Sequence, residues 1–190
     1  MKIDKGGIIN DFIEPNRKQY LIPVYQRNYE WSREQCAKLF KDILIAHKKD
    51  RYHFTGSIVY APLKTENKIE YYVVIDGQQR LTTIYILIKA LIDMADTEAE
   101  KDALCSSVFN IDKFRRYGID ESSKLKLKPV KSDNQQLMLL MEDHVEQMAK
   151  DSGVYQNYVL FCELIQETLA ADENMGVSNI YDEANCKNNS

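Results

Sequence analysis

The feature that most constrains this chain is an abrupt change of periodicity in its middle. The run Ile69 to Ile75 is rich in β-branched and aromatic residues, and it delivers the chain to Asp76-Gly77. Just beyond, Leu81 to about Ala95 is apolar on nearly every side, through Leu81, Ile84, Ile86, Leu87, Ile88, Leu91 and Ile92. The first run predicts a strand and the second a helix buried at the centre of its domain. A strand feeding a central helix through Asp-Gly needs covering elements on both sides. The rest of the chain supplies them.

Gln19-Tyr20-Leu21-Ile22 reads as a brief strand stopped by Pro23. Phe54 to Tyr60 pairs naturally with Ile69 to Ile75 as an antiparallel hairpin, with Pro62 to Lys68 as a polar turn. Lys124 to Lys128 alternates Lys and Leu, which predicts a half-buried strand with a basic outer face. Helices are expected before Pro15, from the spacing of Ile8, Ile9, Phe12 and Ile13, and after Ser32. There Ser32 and Gln35 form a capping box, and Cys36, Leu39, Phe40, Ile43, Leu44 and His47 share a face. Thr97 and Glu100 form a second box, opening a helix through Cys105; further helices are expected over Asp133–Lys150 and Tyr155–Ala171. The polar tail from Asp172 onward reads as disordered. The expectation is an α+β fold, with a domain over 1–131, a helical extension over 132–172 and a disordered tail over 173–190.

Composition narrows the function classes. The 190 residues carry no apolar run long enough to span a membrane and no apolar leader, which predicts a cytoplasmic protein. The four cysteines, Cys36, Cys105, Cys162 and Cys186, lack C-x-x-C spacing, so neither a zinc site nor a disulfide framework is expected. The net charge of −4 conceals an asymmetry, with ten acidic and two basic residues from Glu142 onward. The front of the chain is therefore weakly basic, well short of the basic stripe of a dedicated DNA-binding domain.

Three segments carry candidate chemistry. In Asp76-Gly77-Gln78-Gln79-Arg80-Leu81-Thr82-Thr83, backbone N–H groups at a helix start are a ready anion site. Gly77 allows close backbone approach, Arg80 can fork onto phosphate, and Asp76 can hold magnesium or polarise water. Gln78 and Gln79 can orient a water without titrating, and Thr82 and Thr83 place hydroxyls near the first turn. Singly, each has a structural reading: Asp76 as an N-cap, Gly77 as a turn residue, Arg80 as a surface charge. In Ile22 to Trp31, Tyr25 can stack on a base and Arg27 can pair with phosphate, with Gln26 between them; Trp31 is read as core. In His53 to Val59, His53 can donate to phosphate, and Gly56 marks a bulge or close approach beside Ser57.

In this order and spacing, the phrases IPVYQRNYEW, HFTGSIV and VIDGQQRLTT resemble the N-terminal GmrS-type domain of GmrSD-like modification-dependent restriction endonucleases. The resemblance covers residues of about 5 to 170. It implies a ParB/sulfiredoxin-like fold, a small mixed sheet with packed helices, and a nucleotide-hydrolysis motif at Asp76, Gly77, Gln78, Gln79 and Arg80. Tyr25, Gln26 and Arg27 would line the same pocket. It further implies a nucleoside triphosphate with Mg2+, DNA as the eventual target, and cutting by a separate His-Asn-His-type nuclease domain. A later Phe-Glu-x-x-Asn segment of the family would follow the tail. The rival reading is a non-catalytic DNA- or partner-binding module working through Lys124, Lys126, Lys128 and Lys131 with Arg115 and Arg116.

Overall fold

The computed structural model describes residues 17–49, 57–110, 124–129 and 131–184. The helix expected before Pro15 lies outside them, as do His53 and Gly56.

The central hairpin forms, but its turn is tighter than the sequence suggests. Strand β2 (Val59–Glu66) pairs antiparallel with β3 (Ile69–Asp76), joined only by Asn67-Lys68. Both turn residues have positive φ, 50° and 65°, as a two-residue hairpin turn matching strand twist requires. The polar stretch from Pro62, expected as turn, is thus mostly strand. It escapes the alternating pattern because β2 is an edge strand, where polar side chains and a proline are tolerated.

Four strands form a mixed sheet in the order β2-β3-β1-β4, with β1 (Lys18–Leu21) parallel to both β3 and β4 (Leu127–Lys128). The expected five-residue strand at 124–128 is therefore only two residues long, and its basic face is incomplete. Lys126 is fully buried, and its ammonium donates to the Ser106 carbonyl at 2.6 Å. The cause is long-range: the backbone here is wedged between β1 and the 98–110 segment, with Tyr20 N–H on the Lys126 carbonyl and Lys126 N–H on that of Val108.

Helix α2 (Gln78–Met94) is the buried axis of the molecule, every residue from Leu81 to Ile92 being inaccessible. Helix α1 (Arg33–Lys49) starts at the Ser32 box, where Ser32 N–H donates to Gln35 Oε1 at 2.9 Å. Helix α3 (Glu98–Val108) begins at a complete Thr97–Glu100 capping box. Helix α4 (Lys131–Met141) stops well before Lys150, where Asp143 turns at φ 61° and a 3-10 turn follows at Val145–Gln147. Helix α5 (Gly153–Ala171) packs on α2 and α1.

The tail is a correction. Residues Val177–Ala184 form α6, which buries Val177, Ile180 and Ala184 against the same core. Three apolar residues at helical spacing sufficed, although the surrounding polar residues masked the pattern. One continuous core also runs across the boundary expected at 131/132, joining Leu87, Phe161 and Ile180. No helix among the described residues is long and apolar enough to cross a membrane.

Candidate functional site

The strand–turn–helix corner is built on backbone geometry. Gly77, at φ 87° and ψ 11°, is the N-cap of α2, so Asp76 is not the cap; it ends β3 as an exposed residue. A Cβ on residue 77 would stand 2.9 Å from the Ser57 carbonyl oxygen and 3.1 Å from Ile58 Cγ1. The close approach expected toward a ligand is thus made by the chain itself. No side chain caps the first turn of α2, whereas Ser32, Thr97 and Ser152 cap α1, α3 and α5. Its leading N–H groups are left for another acceptor.

Arg80 sits on that first turn and donates to the Ser57 carbonyl at 2.9 Å. Burial lowers its pKa and the Asp76 carboxylate opposes the shift; a guanidinium stays charged throughout. Asp76, Gly77, Arg80 and Ser57 therefore share one side of the corner.

The two glutamines behave differently from one another. Gln79 is engaged at both ends: its Oε1 accepts the Glu30 N–H at 2.8 Å and its Nε2 donates to the Asn28 carbonyl at 2.7 Å. It pins the 23–32 loop. Gln78 donates to the Arg27 carbonyl at 3.3 Å, but its Oε1 is buried with no partner. Gln26 ties the other end of the loop to β3 through the Ile75 carbonyl at 3.0 Å. Tyr25 projects from the loop tip, 78% exposed, and Arg27 pairs with Glu30 at 3.4 Å.

Beneath the loop, Tyr29 is the hub of a buried network. Its hydroxyl meets Thr83 Oγ1 at 2.7 Å and accepts from Asn157 Nδ2 at 3.1 Å, with Cys36 Sγ at 3.5 Å. Burial, with Cys36 adding to it, holds the phenol well above its usual pKa, so it works as a neutral hydrogen-bonding group. Thr83 also donates to the Gln79 carbonyl at 2.8 Å. Thr83 is thus inward-facing scaffold. Trp31 is partly buried against the core, and its carbonyl accepts from Asn157 at 2.8 Å.

A small, half-open cleft lies between the loop, α2 and α4, lined by Arg27, Tyr29, Gln78, Thr82 and Asp133 among others. Asp133 escaped the sequence reading as a site residue, although the polar run Ser132-Asp133-Asn134 at a helix start was visible. Its Oδ2 accepts the Tyr29 N–H at 2.7 Å. Burial raises its pKa, the Tyr29 bond lowers it, and nearby Glu30 raises it further. Asn157, far along the chain, was missed as well.

The predicted residues thus divide. Arg27, Gln78, Gln79 and Thr82 line the cleft, while Asp76, Gly77, Arg80 and Ser57 lie on the outer side of the α2 start. On the alternative basic face Lys126 is buried, and Arg115 and Arg116 fall outside the described residues.

Fold and site together define a mixed α/β domain organised around a strand–glycine–helix corner and the loop it pins. The chain belongs to the family described as GmrSD restriction endonuclease, N-terminal domain, which it matches over residues 9–188. Membership associates it with restriction, a defence role. No curated protein matches the chain.

Proposed function

We propose that this domain binds a nucleoside triphosphate at the start of α2 and hydrolyses it slowly, as the regulatory part of a DNA-targeting defence system in the cytoplasm. The observation that carries the reading is the uncapped first turn of α2, with Arg80 on that turn and Arg27 lining the cleft beside it. Helix N-termini of this kind favour phosphate through free N–H groups and the helix dipole. Arg80 and Arg27 clamp phosphate oxygens, and the exposed Tyr25 ring offers a stacking face for a base. Asp76 supplies a carboxylate for the attacking water. Gln78 keeps an acceptor free, whereas Gln79, engaged at both ends, acts by holding the loop. Magnesium accompanies the triphosphate, and its ligands are taken up below. A ParB/sulfiredoxin-like ancestry of the sheet belongs to the same reading. DNA cleavage falls to a nuclease domain or subunit outside this chain.

The test is phosphate release across four nucleoside triphosphates with magnesium, with and without DNA. Turnover of at least one triphosphate is expected, lost in Asp76→Asn. No release, and no calorimetric binding of any triphosphate, overturns the reading.

A further inference from the structure

We propose that the cleft between the 23–32 loop, α2 and α4 is a divalent-cation site, held by the Asp133 carboxylate with the Gln78 amide oxygen and the Thr82 hydroxyl. In the nucleotide-bound protein this is where magnesium meets the triphosphate; that second clause rests on the function proposed above.

Asp133 is a half-buried carboxylate with one oxygen occupied by the Tyr29 N–H. No Lys or Arg side chain among the described residues pairs with it. Its charged neighbour is another acid, Glu30, and the arginine of the same cleft, Arg27, is paired with that glutamate at 3.4 Å. A carboxylate set among these groups lacks a cation.

Gln78 points to a ligand independently. The residue is 8% exposed, and its Oε1 is buried without a hydrogen-bond partner while its Nε2 donates to the Arg27 carbonyl. Reversing the amide would set oxygen against that carbonyl, so the orientation is determined. A buried carbonyl that has lost water and gained nothing costs about 1–3 kcal/mol, and such orphans in native sites commonly mark an ion or water. Thr82 lines the same cleft, 3% exposed, and no described residue hydrogen-bonds its hydroxyl.

The ligand chemistry is uniform. Carboxylate, amide and hydroxyl oxygens suit magnesium, manganese or calcium and not zinc, which favours nitrogen and sulfur. Among the described residues no group of three or more His, Cys, Asp or Glu could hold a metal. Magnesium does not need one, since it keeps several waters and takes one or two carboxylates plus substrate phosphates. The cleft has room for about a single ion or water and not for a whole nucleotide, and its open side leaves the rest of an ion's shell to solvent or substrate. Gln78 is also the first residue of α2, so its backbone N–H faces the proposed phosphate while its side chain faces the cation. Asp76, exposed and outside the lining, fits that task less well.

The experiment uses Mn2+ alone as a spectroscopic probe, titrated into the full chain and followed by the loss of its free electron-paramagnetic signal. One site is expected, weakened about tenfold or more, or ~1.4 kcal/mol, in Asp133→Asn. Asparagine can still accept the Tyr29 N–H, and circular dichroism checks the fold. Should Asp133→Asn not fold, Thr82→Val must weaken Mn2+ several-fold while Thr82→Ser retains it. Equal Mn2+ affinity in Asp133→Asn, or no Mn2+ binding by the wild type at millimolar concentration, overturns the cation site. Nucleotide titration in excess chelator separates the two readings. Nucleotide binding with Mn2+ indifferent to Asp133 removes only the cation site. Mn2+ binding that depends on Asp133, with no nucleotide bound under any condition, removes only the nucleotide function.

Discussion

Gly77 and Ser57 touch through their backbones: a β-carbon on residue 77 would stand 2.9 Å from the Ser57 carbonyl oxygen. The left-handed φ of 87° adds to the constraint, since only glycine adopts it at little cost. Gly77→Ala is expected to lose about 1–2 kcal/mol from the backbone conformation alone, with the clash adding to it. Denaturant unfolding measures the sum. An unchanged midpoint would mean that the β2–α2 corner opens freely.

Arg80→Ala tests phosphate clamping. A charge-assisted contact contributes roughly 1.5–3 kcal/mol, so triphosphate affinity should fall at least tenfold. Arg80→Lys should restore little of it, because a point charge does not reproduce the fork. Calorimetric titration beside circular dichroism is the measurement. Equal affinities with an intact fold would assign Arg80 to the Ser57 bond only.

Gln79 holds the loop through two backbone groups, so Gln79→Glu should harm the loop more than its small change in shape suggests. The Asn28 carbonyl loses its donor, and a charge is placed in a nearly inaccessible position. The expected loss is about 1–3 kcal/mol, together with faster hydrogen exchange of the Tyr29 and Glu30 amides. Exchange unchanged at both would show that the loop is fixed by other contacts.

Asp133 carries a pH signature. Its pKa is raised in the folded protein, so the folded state binds that proton more tightly than the unfolded chain. Stability from this group therefore falls as pH rises from the ordinary aspartate value through the folded one, and above that window the ionised carboxylate is a standing cost. Asp133→Asn in chelator should then be at least as thermally stable as wild type at neutral pH. The difference should vanish in acid below the ordinary aspartate range. A clear loss of stability at neutral pH would make Asp133 a structural anchor.

Lys89, only 3% exposed on α2, is held by Asp93 and Asp143, and Asp93 also accepts the Tyr158 hydroxyl at 2.7 Å. Burial alone would lower the Lys89 pKa, but the hydrogen bonds that its ammonium donates to Asp143 and Asp93 leave it raised. Its contribution is therefore present below the ordinary lysine value and lost as pH rises through the folded one. Asp93→Asn should destabilise more than Lys89→Met, because it leaves the buried ammonium with Asp143 as its one carboxylate partner while the methionine fills the same space. Unfolding midpoints of the two variants decide it.

How much of this was legible depended on the range of the interaction. The β3–α2 corner could be read because two apolar runs of different period meet there. The loop at 22–31 stood out by its density of aromatic and amide groups. What Gln79 does could not be read, because its partners lie about fifty residues away and are backbone atoms that leave no compositional trace. Asp133 reaches the cleft only through the packing of α4. Lys126 followed an alternating pattern faithfully and was buried nonetheless, because β1 and the end of α3 close over both sides of its backbone.

The parallel placement of β1 has a kinetic consequence. Its partners, β3 and β4, begin about fifty and over a hundred residues later in the chain. A nascent polypeptide emerging from the ribosome must carry residues 18–21 unpaired until the 69–76 strand appears, and complete their second edge only after 127–128. Pairings so distant slow folding through the entropy of loop closure. The 23–32 loop, suspended directly after β1, reaches its final form only when those late strands and α5 arrive. Any nucleotide bound there would thus hold together segments synthesised early and late.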